Sequence, residues 1–226
     1  MRGDLLTIAR RIGHDLGASL AGVTITGHVL KEMVDENDAT ASRFIQLFFK
    51  ATDEMAKLIE QVGCVAKASV QTLPKTSVVM ADVVGGVLEE LAAAQLIKQA
   101  VVTQPKAWPE IPGVTAWLKI IWWNLLKNAL ERGGESARIE ISWQAEAGGH
   151  RFRVSDNGLR IGEKDQDGLF HDFQNLHAAE NGSGLSLSVV KRLVELQGGQ
   201  CGCESPQESG AAFFFTLPTD KTFAGK

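Results

Sequence analysis

The stretch WWNLLKNALERGG, residues 122–134, is the most informative for the fold of this chain. It predicts an apolar helix that carries two asparagine amides. Asn124 and Asn128 are four residues apart, so a helix carries both on one face, while the leucines between them point largely toward the core. The pattern predicts a helix over 114–132 that ends at Gly133 and Gly134. Two amides in this position favour a polar ligand, although surface or capping asparagines would show the same spacing.

Two further stretches carry polar groups where structural elements begin or end. Asp156-Asn157-Gly158 follows a predicted strand. A carboxylate there can accept a hydrogen bond from an exocyclic amine, and a glycine lets a flat ring approach the backbone closely. A type I′ turn explains the Asn-Gly pair equally well. Residues 181–185, NGSGL, open a predicted helix, where backbone N–H groups can bind phosphates. Taken alone, a Gly-x-Gly pattern is weak support for such a site.

The remaining patterns after residue 76 predict a layered domain. We expect helices over 81–94 and 185–196, and strands at 77–80, 97–103, 137–143, 150–156, 199–205 and 211–217. The proline-rich segment 104–113 is expected to cross between elements without forming a strand. Helices mixed with mostly antiparallel strands indicate an α/β sandwich with the helices on one face of the sheet.

The N-terminal part has a different pattern. Apolar residues recur at helical spacing over 2–34 and 42–68, and the breaker VDENDAT separates them at 34–40. Two such helices form an antiparallel hairpin, which by itself cannot close a core. We therefore expect the hairpin to dimerise into a four-helix bundle; packing against the rest of its own chain is the alternative.

The bulk composition is that of a globular protein. The 226 residues are 44% hydrophobic and 22% charged, with a net charge of −4, which disfavours nucleic-acid binding. Three cysteines do not make a disulfide framework, so we expect a reducing, cytoplasmic compartment. No segment has the apolar length expected of a membrane span or signal peptide.

The order of these motifs resembles the catalytic core of sensor histidine kinases. Residues 124–129 resemble the N box, 156–161 and 182–187 the two glycine boxes, and 169–173 the F box; His14-Asp15-Leu16 falls at the H box. The resemblance implies an α+β chain with two domains. Residues 1–70 would form a dimerisation and histidine phosphotransfer hairpin, and 71–226 a Bergerat-type ATP-binding domain shared with the GHKL ATPases.

The resemblance also implies roles for individual residues. Asn128 would ligate Mg²⁺ and Asn124 would hold a phosphate or a magnesium-bound water. Asp156 would accept from the adenine amino group, and Gly158 would make room for the ring. The loop over the triphosphate would contain Gly182, Ser183 and Gly184.

His14 stands out on the first helix. It lies two residues from Ile12 and from Leu16, about 200° around the helix from each, so it is predicted to face away from the packing stripe. The resemblance implies that His14 is the phosphoacceptor, with Asp15 orienting the proton on the other ring nitrogen. The implied function is a homodimeric two-component kinase. It would autophosphorylate from magnesium ATP and pass the phosphoryl group to an aspartate of a response-regulator receiver domain.

Several residues depart from the family pattern. Gly17, Ala18 and Ser19 replace a basic residue, a Thr or Asn, and Pro, which predicts weak or absent phosphatase activity. Arg160 stands at a usual glycine, and Glu131-Arg132 at a basic and aromatic pair. These departures leave open a histidine phosphotransfer or scaffold protein with a degenerate ATP site. An ATPase of the same fold is disfavoured, because Asn124 stands where such enzymes place a catalytic Glu.

Overall fold

The chain divides into two compact units, Met1–Thr72 and Leu73–Lys226. The computed structural model describes residues 2–34, 38–68, 73–94, 96–97, 99–170, 184–205 and 210–219. Within these ranges, none of the helices combines the length and the apolar content that a bilayer crossing requires.

The first unit consists of two long helices, α1 (Arg2–Met33) and α2 (Ala39–Ala68), which pack against each other. Asp38 begins α2: its carboxylate accepts from the backbone N–H groups of Thr40 and Ala41, each at 3.0 Å, and so caps the helix. Gly27 sets the close approach of the two helices, because an added Cβ would lie 2.2 Å from a ring carbon of Phe48. Both helices begin and end within a few residues of the predicted bounds.

In the part of the second unit that the structure describes there are four α-helices and seven strands. The helices are α3 (Met80–Ala93), α4 (Thr115–Gly133), α5 (Glu163–Gln166) and α6 (Gly184–Glu195). The strands are β1 (Thr76–Val79), β2 (Val101–Thr103), β3 (Glu110–Gly113), β4 (Arg138–Glu146), β5 (Gly149–Asp156), β6 (Cys201–Glu204) and β7 (Ala211–Pro218). Five strands form one sheet in the order β2-β4-β5-β7-β6, with only the β2–β4 pair parallel.

The helices cover one face of this sheet. Along β5, Phe152 and Val154 are buried on that face, whereas the alternating residue Arg153 is only half-buried on the other. Trp122 of α4 is fully buried, and its ring packs edge-on against Phe152 at 5.9 Å and Phe215 at 5.3 Å. The predicted α+β class, with helices on one sheet face, is confirmed.

The proline-rich segment differs from the prediction. Residues 110–113 form β3, which pairs antiparallel with β1 in a separate two-stranded sheet; Val78 lies opposite Ile111 and both are buried. Pro112 fits there because its missing N–H costs little in a two-stranded sheet, where each strand has a free edge. The prediction of a crossing without a strand was wrong at this point.

Candidate nucleotide-binding site

The two asparagines of α4 lie on the same helix but in different surroundings. Asn124 is buried, and its amide nitrogen donates to the Ile120 carbonyl at 2.8 Å. A ligand would therefore meet the carbonyl oxygen of Asn124 rather than its amide nitrogen. Asn128, one turn further along, is half-buried. The helix thus places Asn128 as the more accessible of the two amides.

Asp156 ends β5, and the rest of the site surrounds its carboxylate. Oδ1 accepts from the backbone N–H of Gly158 at 2.9 Å, and Oδ2 accepts from Nε of Arg132 at 3.1 Å. The Asp156 side chain has no exposed surface. Arg132 lies one turn after Asn128, so the ion pair joins the end of α4 to the end of β5.

Gly158 allows the backbone after β5 to approach the end of α4. A Cβ at this position would lie 2.6 Å from the carbonyl oxygen of Arg132 and 2.9 Å from Oδ1 of Asp156. The Gly158 carbonyl accepts from the N–H of Gly210 at 2.9 Å, and Gly210 itself has a φ of +79°. Any larger residue at 158 would have to displace backbone, which explains the glycine in physical terms.

The second glycine-rich stretch lies only partly within the described residues. Gly184 is the first residue of α6, whereas Gly182 and Ser183 lie outside the described residues. The first turn of α6 has backbone N–H groups that its own helix does not use, which suits an anion. Of the F-box stretch, Phe170 is buried and its ring centre lies 6.3 Å from that of Phe213; His171 to Phe173 lie outside the described residues.

His14 and Asp15 belong to the first unit. Both lie within α1, and their side chains fall outside the described part of the structure. The predicted outward direction of the His14 ring therefore stays a prediction.

A magnesium–ATP complex is compatible with the residues present. Among the described residues, no group of three or more His, Cys, Asp or Glu side chains is placed to hold a metal ion. Mg²⁺ bound with a nucleotide takes most of its ligands from phosphates and water, so a single amide oxygen from Asn128 fits its chemistry. Asp156, which the sequence predicts as the acceptor for a purine amine, is paired with Arg132.

Cys203 on β6 lies near the same ion pair. Burial raises the pKa of its thiol to about 12; Arg132 lowers that pKa in part, while Asp156 and Glu204 raise it further. The thiol therefore stays protonated at neutral pH and is a poor nucleophile.

The Arg132–Asp156 pair is the feature of the site that the sequence did not predict. The two residues are 24 positions apart and belong to different elements, so no local spacing joins them. The only sequence signal for this contact was that Glu131-Arg132 stands where sensor histidine kinases often have a basic and an aromatic residue.

Comparison with known proteins finds a family match for part of the chain. Residues 113–221 match the family described as histidine kinase-, DNA gyrase B- and HSP90-like ATPases. A methanogenesis regulatory histidine kinase of Methanothrix harundinacea is 25% identical over 213 residues, which is 92% of this chain and 24% of that protein. The chain therefore spans about a quarter of the length of this relative.

Two solved structures share the fold over almost the whole chain. Full-length ShkA in complex with AMPPNP has a TM-score of 0.71 at 22% identity, covering 96% of this chain and 47% of that one. Histidine kinase ThkA in complex with the response regulator protein TrrA has a TM-score of 0.65 at 19% identity, covering 98% and 65%.

Proposed function

We propose that the chain is the core of a two-component sensor kinase, because residues 113–221 match the histidine kinase-, DNA gyrase B- and HSP90-like ATPase family and a methanogenesis regulatory histidine kinase is 25% identical over 92% of the chain. It would be a homodimer that phosphorylates His14 from magnesium ATP and then passes the phosphoryl group to a receiver aspartate. The observation that carries the proposal is the contact between the end of α4, the helix that carries Asn124 and Asn128, and the Asp156–Gly158 turn.

Two elements, α4 and the turn after β5, supply the residues of the proposed ATP site. Asn128 would hold the magnesium ion through its amide oxygen, and the carbonyl of Asn124 would contact a magnesium-bound water. Asp156 accepts from the adenine amino group, and Gly158 leaves room for the ring. Magnesium neutralises phosphate charge, which lowers the barrier to attack on the γ-phosphorus.

The proposed transfer needs little chemistry from the protein beyond positioning. The lone pair of a neutral His14 ring nitrogen forms an N–P bond to the γ-phosphorus, and the bond between that phosphorus and the β-γ bridging oxygen breaks. ADP leaves with the electron pair. Asp15 orients the ring by accepting from its other nitrogen and stabilises the positive charge that develops on it.

The apolar surface of the first unit supports the homodimer. Large apolar side chains are exposed on both helices: Leu16, Val23, Ile25, Val29, Leu30 and Met33 on α1, and Phe44, Leu47 and Met55 on α2. Met33 is 77% exposed and Phe44 67%, which is costly for an isolated hairpin. A second copy that completes a four-helix bundle would cover much of this surface.

The proposed phosphoryl acceptor is a receiver domain. The support is the similarity to ThkA, which was solved in complex with a response regulator protein. A surface around His14 on α1 and α2 is the proposed docking site.

One observation favours a second function. The carboxylate proposed to bind adenine is covered and already paired with Arg132. If that pair never opens, the same architecture would relay phosphoryl groups at His14 without using ATP. The chain would then be a histidine phosphotransfer or scaffold protein.

Labelling with γ-³²P-ATP and magnesium tests the proposal. The wild-type chain is expected to acquire acid-labile, base-stable phosphate. His14→Gln should abolish it. His28→Gln is the matched control and should keep the label, because His28 lies on the same helix with its ring centre 4.4 Å from that of Phe49. Label that persists in His14→Gln would show that the acceptor is another residue. A chain that takes no label from ATP but accepts it from a phosphorylated receiver domain would favour the phosphotransfer function.

A further inference from the structure

The Arg132 side chain is fixed at the purine end of the site by three contacts. Its Nε donates to Oδ2 of Asp156 at 3.1 Å and Nη2 donates to the carbonyl oxygen of Leu159. The guanidinium carbon also lies 5.8 Å from the centre of the Phe213 ring. A planar cation suits this arrangement, because its nitrogens diverge toward two acceptors while its face meets a ring.

The carboxylate side of the pair has no room for another donor as it stands. Oδ1 is engaged by the Gly158 N–H and Oδ2 by Arg132, and the Asp156 side chain has no exposed surface. Arg132, by contrast, retains 21% of its side-chain surface. Solvent therefore reaches the arginine and not the carboxylate, so a purine amine would meet Arg132 first.

We propose that Arg132 is an internal competitor for the carboxylate that recognises the purine, and that it sets the nucleotide affinity of this chain. The inference rests on the proposed function, because it takes Asp156 as the acceptor for adenine. When a nucleotide binds, the guanidinium leaves the carboxylate and the exocyclic amine takes its place. The exchange replaces a hydrogen bond between two charged groups with one from an uncharged amine to the same carboxylate, so it reduces affinity.

The competition acts at the purine end alone. Arg132 contacts Asp156, Leu159 and Phe213. The groups proposed to bind the phosphates and their magnesium ion lie elsewhere, on Asn124, Asn128 and the start of α6. A variant without the guanidinium should therefore bind adenosine and ATP more tightly by the same factor. Binding of tripolyphosphate, which has no purine, should not change.

Titration calorimetry with adenosine, magnesium ATP and magnesium tripolyphosphate tests this on the full chain. Arg132→Gln is expected to bind adenosine and ATP about tenfold more tightly than wild type, the effect of losing one hydrogen bond to a charged group. Tripolyphosphate affinity should stay within about twofold, because that ligand does not contact the pair.

Arg138→Gln is the matched control. It removes the same charge from an exposed side chain next to Ile139, the residue that pairs with Asp156 across the sheet. Successive residues of a strand point to opposite faces, so the Arg138 side chain lies on the side away from Asp156. Its adenosine and ATP affinities should equal those of wild type.

Arg132→Lys guards against loss of folding in Arg132→Gln. A lysine keeps the charge but lacks the fork that bonds both Asp156 and Leu159, so an intermediate gain in adenosine affinity is expected. Thermal unfolding of each variant without nucleotide shows whether it is folded.

Three results would overturn the proposal. In the first, adenosine binds Arg132→Gln as tightly as wild type or less tightly. In the second, ATP and tripolyphosphate affinities rise together, which would reflect general electrostatics. In the third, no folded variant binds ATP, so Arg132 is not what limits binding. Failure of the proposed kinase function looks different: ATP binds and tightens as expected, yet saturating ATP puts no label on His14.

Discussion

Replacing Gly158 with Ala is the sharpest test of the geometry around Asp156. The new methyl carbon would lie 2.6 Å from the carbonyl oxygen of Arg132, 2.9 Å from its carbonyl carbon and 2.9 Å from Oδ1 of Asp156. The first two atoms are backbone at the end of α4, and the third belongs to the carboxylate that pairs with Arg132 through its other oxygen. None of them can move without disturbing an element of the site.

The expected cost follows from these contacts. Forcing a methyl group into a packed site costs about 1–3 kcal/mol. For a domain of about 150 residues, each kcal/mol lowers Tm by roughly 2–4 °C, so a cost near 2 kcal/mol predicts a fall of about 4–8 °C. Thermal unfolding followed by circular dichroism measures this. ATP affinity should also fall, because the methyl group displaces the Asp156 carboxylate that is proposed to accept from the purine.

Gly86→Ala is the control for the added methyl group itself. Gly86 lies inside α3, and a Cβ there meets no atom within 4 Å. Alanine is a better helix former than glycine by about 1 kcal/mol, so this variant should melt higher than wild type. If Gly158→Ala instead unfolds at the wild-type temperature and binds ATP normally, the close approach of α4 to the turn after β5 is refuted.

Three further predictions concern other parts of the second unit. Burial raises the pKa of Cys201 and of Cys203 from 9.0 to about 12. At pH 8, iodoacetamide should therefore alkylate both about tenfold or more slowly in the folded chain than in urea, by site-resolved mass spectrometry. The unfolded chain loses these thiol protons at a lower pH than the folded chain does, so the free energy of unfolding should fall as the pH rises from 9 toward 12. The fall should be smaller when both cysteines are replaced by alanine. Gln197→Leu removes the acceptor for the buried Val114 N–H, a 3.0 Å bond, and should cost about 1–3 kcal/mol in urea unfolding; a wild-type midpoint would contradict this. Asn128→Ala should raise the magnesium concentration needed for half-maximal ATP binding by about tenfold or more, whereas Asn128→Asp keeps an oxygen ligand and should lose less; equal behaviour of wild type and Asn128→Ala would exclude the assigned ligand.

The sequence predicted those helices and strands whose signals lie within their own residues. The helix expected over 114–132 is observed as Thr115–Gly133, because its apolar spacing and the glycines after it both act within the segment. The hairpin of β4 and β5 was predicted for the same reason. β3 was missed since its four residues show no alternation, and its partner β1 lies more than 30 residues earlier in the chain.

The candidate site shows the same division. Spacing alone put Asn124 and Asn128 on one helix and Asp156 at a strand end, and the structure has them there. The ion pair between Arg132 and Asp156 depends on how α4 packs against the sheet, which no sequence spacing encodes. The roles of all the predicted site residues stay predictions, those of Asn124, Asn128, Asp156, Gly158 and Gly184 as well as those of His14, Asp15, Gly182 and Ser183.

The place of β7 in the sheet has a consequence for how the domain comes to exist. This strand, Ala211–Pro218, pairs with β5 on one side and β6 on the other, although it comes after both of them in the chain and is the last of the strands that the structure describes. Until the ribosome has released it, β5 and β6 keep open edges and Phe152 and Val154 lack their neighbours. The second unit should therefore fold only after β7 has been synthesised, and a nascent chain stopped before Ala211 should be a client for chaperones rather than a smaller working domain.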